Sequence, residues 1–145
     1  MKVLVIVLSF LVPAFASAAE PARKDVLRLA ARAADWQLAR LDAAHITHMK
    51  EETRDPRSWE QGAFWVGMTH LADVSGEKRF HDAILAMGRA NQWQPGSRTY
   101  HADDHVIGQS YLWSARHGAG QEAIAPLRST FRSYEVTFLF QNALP

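Results

Sequence analysis

Apolar residues recur every three to four positions from Asp25 to Leu41, through Val26, Leu27, Ala30, Ala33, Ala34, Leu38 and Leu41, with Leu29 and Trp36 broadening the stripe. That spacing predicts a helix with one buried face. The stretch from Ala44 to Pro56 is mostly polar and reads as a loop. Pro56 disfavours helix at Asp55, and Ser58 stands where an N-cap belongs. A second helix is predicted from Trp59 to Val74, closed by Gly76, a residue suited to the left-handed end of a helix. A third, from Lys78 to Gln92, carries Phe80, Ile84, Leu85 and Met87 on one side. Trp93 to His101 has no helical pattern and contains Pro95-Gly96, so it reads as a loop. A fourth helix is expected from Asp103 to His117, ended by Gly118 and Gly120, and a fifth from near Gln121. Val136 to Phe140 is the one stretch with strand-like alternation.

The expected class is therefore all-α, built from antiparallel helical hairpins with alternating short and long connections. Short turns such as Ser75-Gly76 fall at one end of such an array and long loops at the other. Functional groups collect on long loops held by rigid helices. Trp59 to Gly62 and His101 to His105 both lie where long loops enter helices, so they are expected at the same end.

Composition narrows the function. Met1-Lys2, an apolar run from Val3 to Phe15 and Ala16-Ser17-Ala18 form the three parts of an export signal, predicted to be residues 1–18. The destination is secreted or periplasmic. The apolar run is shorter than the ~20 residues a membrane-spanning helix needs, so no stable membrane span is expected. The chain has no cysteine, which excludes thiolate catalysis and thiolate metal sites. Its 16 basic and 15 acidic residues are well mixed, leaving no basic stripe for nucleic acid. Five tryptophans in 145 residues is a high count, and tryptophan serves either a core or a flat floor under a sugar ring.

The densest polar cluster is Tyr100-His101-Ala102-Asp103-Asp104-His105-Val106-Ile107-Gly108-Gln109. A carboxylate at a helix start is stabilised by the unpaired N–H groups there, so one aspartate needs no function. Two adjacent carboxylates flanked by histidines exceed what a cap requires, and adjacent carboxylates can have their pKa values split for acid–base work. Metal ligation is disfavoured, because among these four side chains only His101 with Asp104 or His105 has useful helical spacing. Gly62 and Gly67 inside the second helix each cost about 1 kcal/mol relative to alanine, which points to close approach by another helix or a ligand. Tight packing is the expectation at Gly67. Trp59 and Trp65 suit a core role and a sugar platform equally. His45, His48, His70, His81 and His117 are isolated and read as surface or hydrogen-bonded residues.

With these residues in view, the sequence resembles the unsaturated glucuronyl and rhamnogalacturonyl hydrolases, glycoside hydrolase families 88 and 105. The matching stretches are Ser58 to Met68, Ser75 to Phe80, Trp93-Gln94, Arg98 and His101 to Leu112, in the family's order and spacing across roughly Asp25 to Phe131. The resemblance implies an (α/α)6 toroid of six helical hairpins that removes 4,5-unsaturated uronic acid from pectin- or glycosaminoglycan-derived oligosaccharides. It implies hydration of the vinyl ether double bond, with no metal or organic cofactor. By the same resemblance, an aspartate of the Asp103–Asp104 pair, Asp103 by preference, is expected to face the unsaturated ring, with Trp59 lining the same pocket. The candidate site is thus Asp103 and Asp104 as catalytic groups, with Trp59, Trp65, His101, His105 and Gln109 against the substrate, an unsaturated uronyl oligosaccharide.

The chain departs from the family pattern in one respect. The principal acid/base aspartate is expected in a Trp-x-Asp-x-Leu-x-Met stretch, and none occurs in these 145 residues. The likeness fades near Arg132, so residues 19–132 are expected to form part of the hydrolase domain and 133–145 a divergent tail. Six hairpins need roughly 190 residues, which leaves room for only about the first five or six helices, or half of the toroid. A truncated chain, inactive alone and poorly soluble because the last helix exposes an apolar face, is the expectation. The alternatives are a non-catalytic carbohydrate-binding remnant and a helical interaction module.

Overall fold

Ser58 opens the helix that the rest of the fold packs around. Its extended backbone turns the chain, and its Oγ accepts from the Gln61 N–H at 3.5 Å, so α2 (Trp59–Ser75) starts where the sequence places it. Gly76, with φ of 68°, closes the helix in the left-handed region, and its N–H donates to Ala72 O at 3.0 Å. These details come from a computed structural model that describes residues 20–41, 45–46, 51–52 and 55–142, with side chains described for 20–41 and 55–133. The predicted signal segment and His48 lie outside the described residues.

The architecture is all-α. α1 (Arg23–Leu38) precedes a pair of two-residue antiparallel strands, β1 (His45–Ile46) and β2 (Glu51–Glu52), in the stretch expected to be a loop. α2 and α3 (Lys78–Ala90) form a hairpin across Gly76-Glu77. Next come a 3₁₀ turn (Ala102–His105), α4 (Gly108–Ser114), a π turn (Ala115–Ala119), a second 3₁₀ turn (Gly120–Ala123) and α5 (Ala125–Asn142). α2 packs on α1, α3 and α4, and α5 packs on the second 3₁₀ turn. Phe80, Ile84, Ile107 and Tyr111 are fully buried where these elements meet. Among the described residues no helix is long and apolar enough to cross a membrane.

Two expectations change. Residues 136–140, read as a strand, lie inside α5, which runs unbroken through residues 132 and 133. A strand needs a partner to take its backbone hydrogen bonds, whereas a helix satisfies its own. Gly67 is not tightly packed: a Cβ there would meet nothing within 4 Å. Gly62 does mark a close approach, since a Cβ would lie 2.8 Å from Ile107 N and 3.0 Å from a Val106 methyl. The N-terminal turn of α2 is thereby seated on the segment that follows the Asp103–Asp104 turn.

At the end of the fold that carries Gly76, Trp113 Nε1–H donates to Asp73 Oδ1 at 3.0 Å, and the Trp113 and His117 rings stack 3.9 Å apart. His117 Nδ1 lies 2.8 Å from Trp113 O, and His81 Nε2 lies 3.0 Å from His117 O. Both histidines are engaged with backbone. This cluster ties α2, α3 and the end of α4 together.

The two glycines of α2 make opposite predictions. Gly62→Ala overpacks against backbone and should destabilise by about 1–3 kcal/mol. Gly67→Ala has space and better helix propensity, and should stabilise by about 0.5–1 kcal/mol. Urea unfolding followed by circular dichroism checks both signs.

Candidate active site

The site is assembled from the end of α3. Gln92 and Trp93 adopt φ values of 53° and 58°, a left-handed pair without glycine. Each such residue costs about 1–2 kcal/mol. The contacts of Trp93 offset that cost. Its N–H donates to Gly88 O at 2.9 Å, and its ring lies so close over Gly88 that a Cβ there would fall 1.8 Å from it. The ring then meets Tyr111 edge-on at 5.5 Å. Tyr111 is buried, which pushes its hydroxyl pKa up to about 12, and it donates to Gln94 O at 3.0 Å. The loop is thus anchored immediately before Pro95-Gly96.

Gly96 N–H donates to Asp104 O at 2.8 Å. A Cβ at Gly96 would sit 2.5 Å from the Asp104 carboxyl carbon, so glycine alone permits this approach. Asp104 is 6% exposed. Its Oδ2 accepts from Arg98 N–H at 2.7 Å, and its Oδ1 accepts from Arg98 Nε at 3.0 Å and from Arg98 Nη2. The Arg98 hydrogen bonds hold the Asp104 carboxyl below the ordinary carboxylate value, against the opposing effect of burial. Asp104, in turn, holds Arg98 above its ordinary value, with the charge of Asp103 adding to the effect. One carboxylate closes the six-residue loop onto its own 3₁₀ turn.

Asp103 has a different position. Its side chain is 48% exposed, with Oδ2 3.5 Å from His101 Nδ1. Neither aspartate caps a helix through its side chain: the first residues after the loop form a 3₁₀ turn without such a cap, and α4 begins only at Gly108. The fourth helix expected from Asp103 is therefore corrected to a turn, a short helix and a π turn. Within this one turn the Asp103 carboxylate stays half-exposed while its neighbour faces Arg98.

The other predicted site residues divide. Trp59 is 50% exposed in the first turn of α2, and Gly62, one turn on, packs against Val106 and Ile107. Trp59 and the Asp103 turn therefore lie at the same end of the fold. His101 and Gln109 are exposed. His105 is half-buried, its Nε2 2.9 Å from Thr99 O and its ring 5.4 Å from that of Phe131. Trp65 is not brought to the site: at 3% exposed it is a core residue, edge-on to Phe64 at 5.2 Å. Among the described residues no three histidine, aspartate or glutamate side chains gather as metal ligands. Arg98 is the residue whose role spacing does not reveal. Its signal is Gly96 with a carboxylate six residues after the arginine, and only folding shows that the two close a loop.

The sequence model of Glycosyl Hydrolase Family 88 matches residues 29–137. An unsaturated 3S-rhamnoglycuronyl hydrolase of Alteromonas sp. (strain LOR) is 32% identical over 108 residues, covering 72% of this chain and 26% of that protein. A protein of the same name from Formosa agariphila is 31% identical over 58 residues, covering 40% of this chain and 15% of its own length. The chain thus spans a minor part of the length of both relatives.

The Asp104 clamp predicts a pH dependence. Because the folded-state pKa is depressed, the stability it contributes is present above the unfolded value, near 3.8, and is lost as pH falls through the lower folded value. Asp104→Asn should lower the melting temperature by several degrees at pH 7. The gap from wild type should shrink as pH drops below about 4, as read by thermal denaturation across the acid range.

Proposed function

The chain belongs to glycosyl hydrolase family 88, and from that premise we propose that Asp103 faces the unsaturated uronic acid ring of an oligosaccharide. The observation that carries this reading is the division within the pair: Asp104 is fully engaged by Arg98, while Asp103 stands on the same rigid turn with its carboxylate open to solvent. The family's (α/α)6 toroid accounts for the all-α hairpin arrangement. The names of both relatives specify an unsaturated rhamnoglycuronyl substrate, and we take the same class, an unsaturated uronyl group joined to a further sugar, as the ligand of this chain. Residues 1–18 support placing the protein outside the cytoplasm.

The chemistry that fits is vinyl ether hydration. A carboxylic acid donates its proton to the double-bond carbon remote from the ring oxygen. The ring oxygen stabilises the cation that develops on the adjacent carbon, and water activated by a carboxylate adds there. Asp103 is positioned to hold the ring or to share in that proton transfer. Trp59 offers a half-exposed indole as an apolar floor for the sugar. His101, 3.5 Å from Asp103, and Gln109 supply further polar contacts.

A second reading, in which the chain binds the uronide and does not turn it over, fits the half-exposed Trp59 indole beside the Asp103 turn. One experiment separates the two. The chain should bind an unsaturated uronyl disaccharide in calorimetry. Asp103→Asn should weaken binding by about ten- to a hundredfold, the loss of a charge-assisted hydrogen bond. Trp59→Ala should weaken it several-fold, with helicity unchanged in both variants. Steady loss of the uronyl double-bond absorbance with wild-type chain selects the hydrolase. Binding without that loss selects the binding protein, and no binding contradicts both.

A further inference from the structure

Arg98 is tied along one edge only. Its Nε and Nη2 donate to Asp104 Oδ1 and its backbone N–H to Asp104 Oδ2, yet the side chain is 57% exposed. Among the described residues nothing takes up Nη1. An exposed arginine ordinarily samples many rotamers, and immobilising such a side chain on binding costs about 0.5–1.5 kcal/mol. Here a buried carboxylate has already fixed the guanidinium plane. The planar fork that remains outward has the geometry that matches a carboxylate. Asp103 stands on the same turn as the carboxylate that holds Arg98, next to Asp104 in sequence. His101, whose N–H donates to Arg98 O at 2.9 Å, completes this rim.

We propose that the free edge of Arg98 reads the carboxylate of the uronic acid, making Arg98 the residue that selects an acidic sugar over a neutral one. This deepens the proposed function and rests on it. The division of labour extends to charge. Asp104 is offset by Arg98, so Asp103 is the one carboxylate of the turn without an arginine against it.

The test compares an unsaturated uronyl disaccharide with its uronate methyl ester, which has the same ring and no charge. Arg98→Gln alone leaves Asp104 buried and unpaired and can unfold the loop. The informative pair is therefore Asp104→Asn and the double variant Arg98→Gln/Asp104→Asn, both of which lack the ion pair and differ only in the arginine. Wild-type chain is expected to bind the acid about tenfold more tightly than the ester in calorimetry. Asp104→Asn, though weaker overall, still prefers the acid. The double variant binds acid and ester alike, with circular dichroism matching that of Asp104→Asn. A double variant that keeps the acid preference overturns the role of Arg98 and leaves the uronide reading intact. A wild type that binds acid and ester equally also overturns the role of Arg98 alone. A wild type that binds neither overturns both.

Discussion

The ion pair between Arg98 and Asp104 is the contact on which the site depends. A carboxylate 6% exposed would cost several kcal/mol if left unpaired. Here it accepts from a backbone N–H and two guanidinium nitrogens of one residue. The loop between Gly96 and His101 therefore has a closed geometry of its own. That geometry decides which of two adjacent aspartates remains outside. Asp103 stays half-exposed because Asp104 takes the inward position.

The rest of the fold supplies the platform for that closure. Trp93 lies on Gly88 and against Tyr111, Tyr111 holds Gln94, and Gly96 then meets Asp104 without a side chain in the way. From the other direction, Gly62 lets α2 settle on Val106 and Ile107, which brings Trp59 to the same end. Glycines at three points convert helix packing into the placement of one carboxylate and one indole. At the opposite end, Trp113 stacked on His117 and bonded to Asp73 ties α2, α3 and the end of α4 together.

Much of this was legible in the residues before any coordinates. The cap at Ser58, the stop at Gly76, α1 to α3 and the common end of the two polar clusters follow from periodicity and cap chemistry, and the structure shows them. The break between Asp103 and Gly108 was hidden because an acidic pair reads as a helix start and Ile107, Tyr111 and Ser114 keep a helical spacing just after it. Residues 136–140 alternate like a strand, and local pattern cannot say that α5 continues through them. Trp65 read as core and as platform equally, and burial decides for the core. The resemblance favours Asp103 as the ring-facing residue, but spacing alone does not separate the pair, since adjacent identical residues differ only in which way a turn points them. Arg98 went unassigned for the same reason: its partner is chosen by loop closure.

Membership in glycosyl hydrolase family 88 gives this geometry its chemical meaning, and the clamp is the part of the account that can be read directly. The decisive measurement is a carbon-13 NMR titration of the Asp104 carboxyl in the intact chain. The account predicts that Asp104 titrates below its ordinary value of 3.8 and shifts upward in Arg98→Gln, where the opposing effect of burial is no longer offset. A carboxyl that titrates at or above that value in the wild type, or ignores the loss of Arg98, would contradict it.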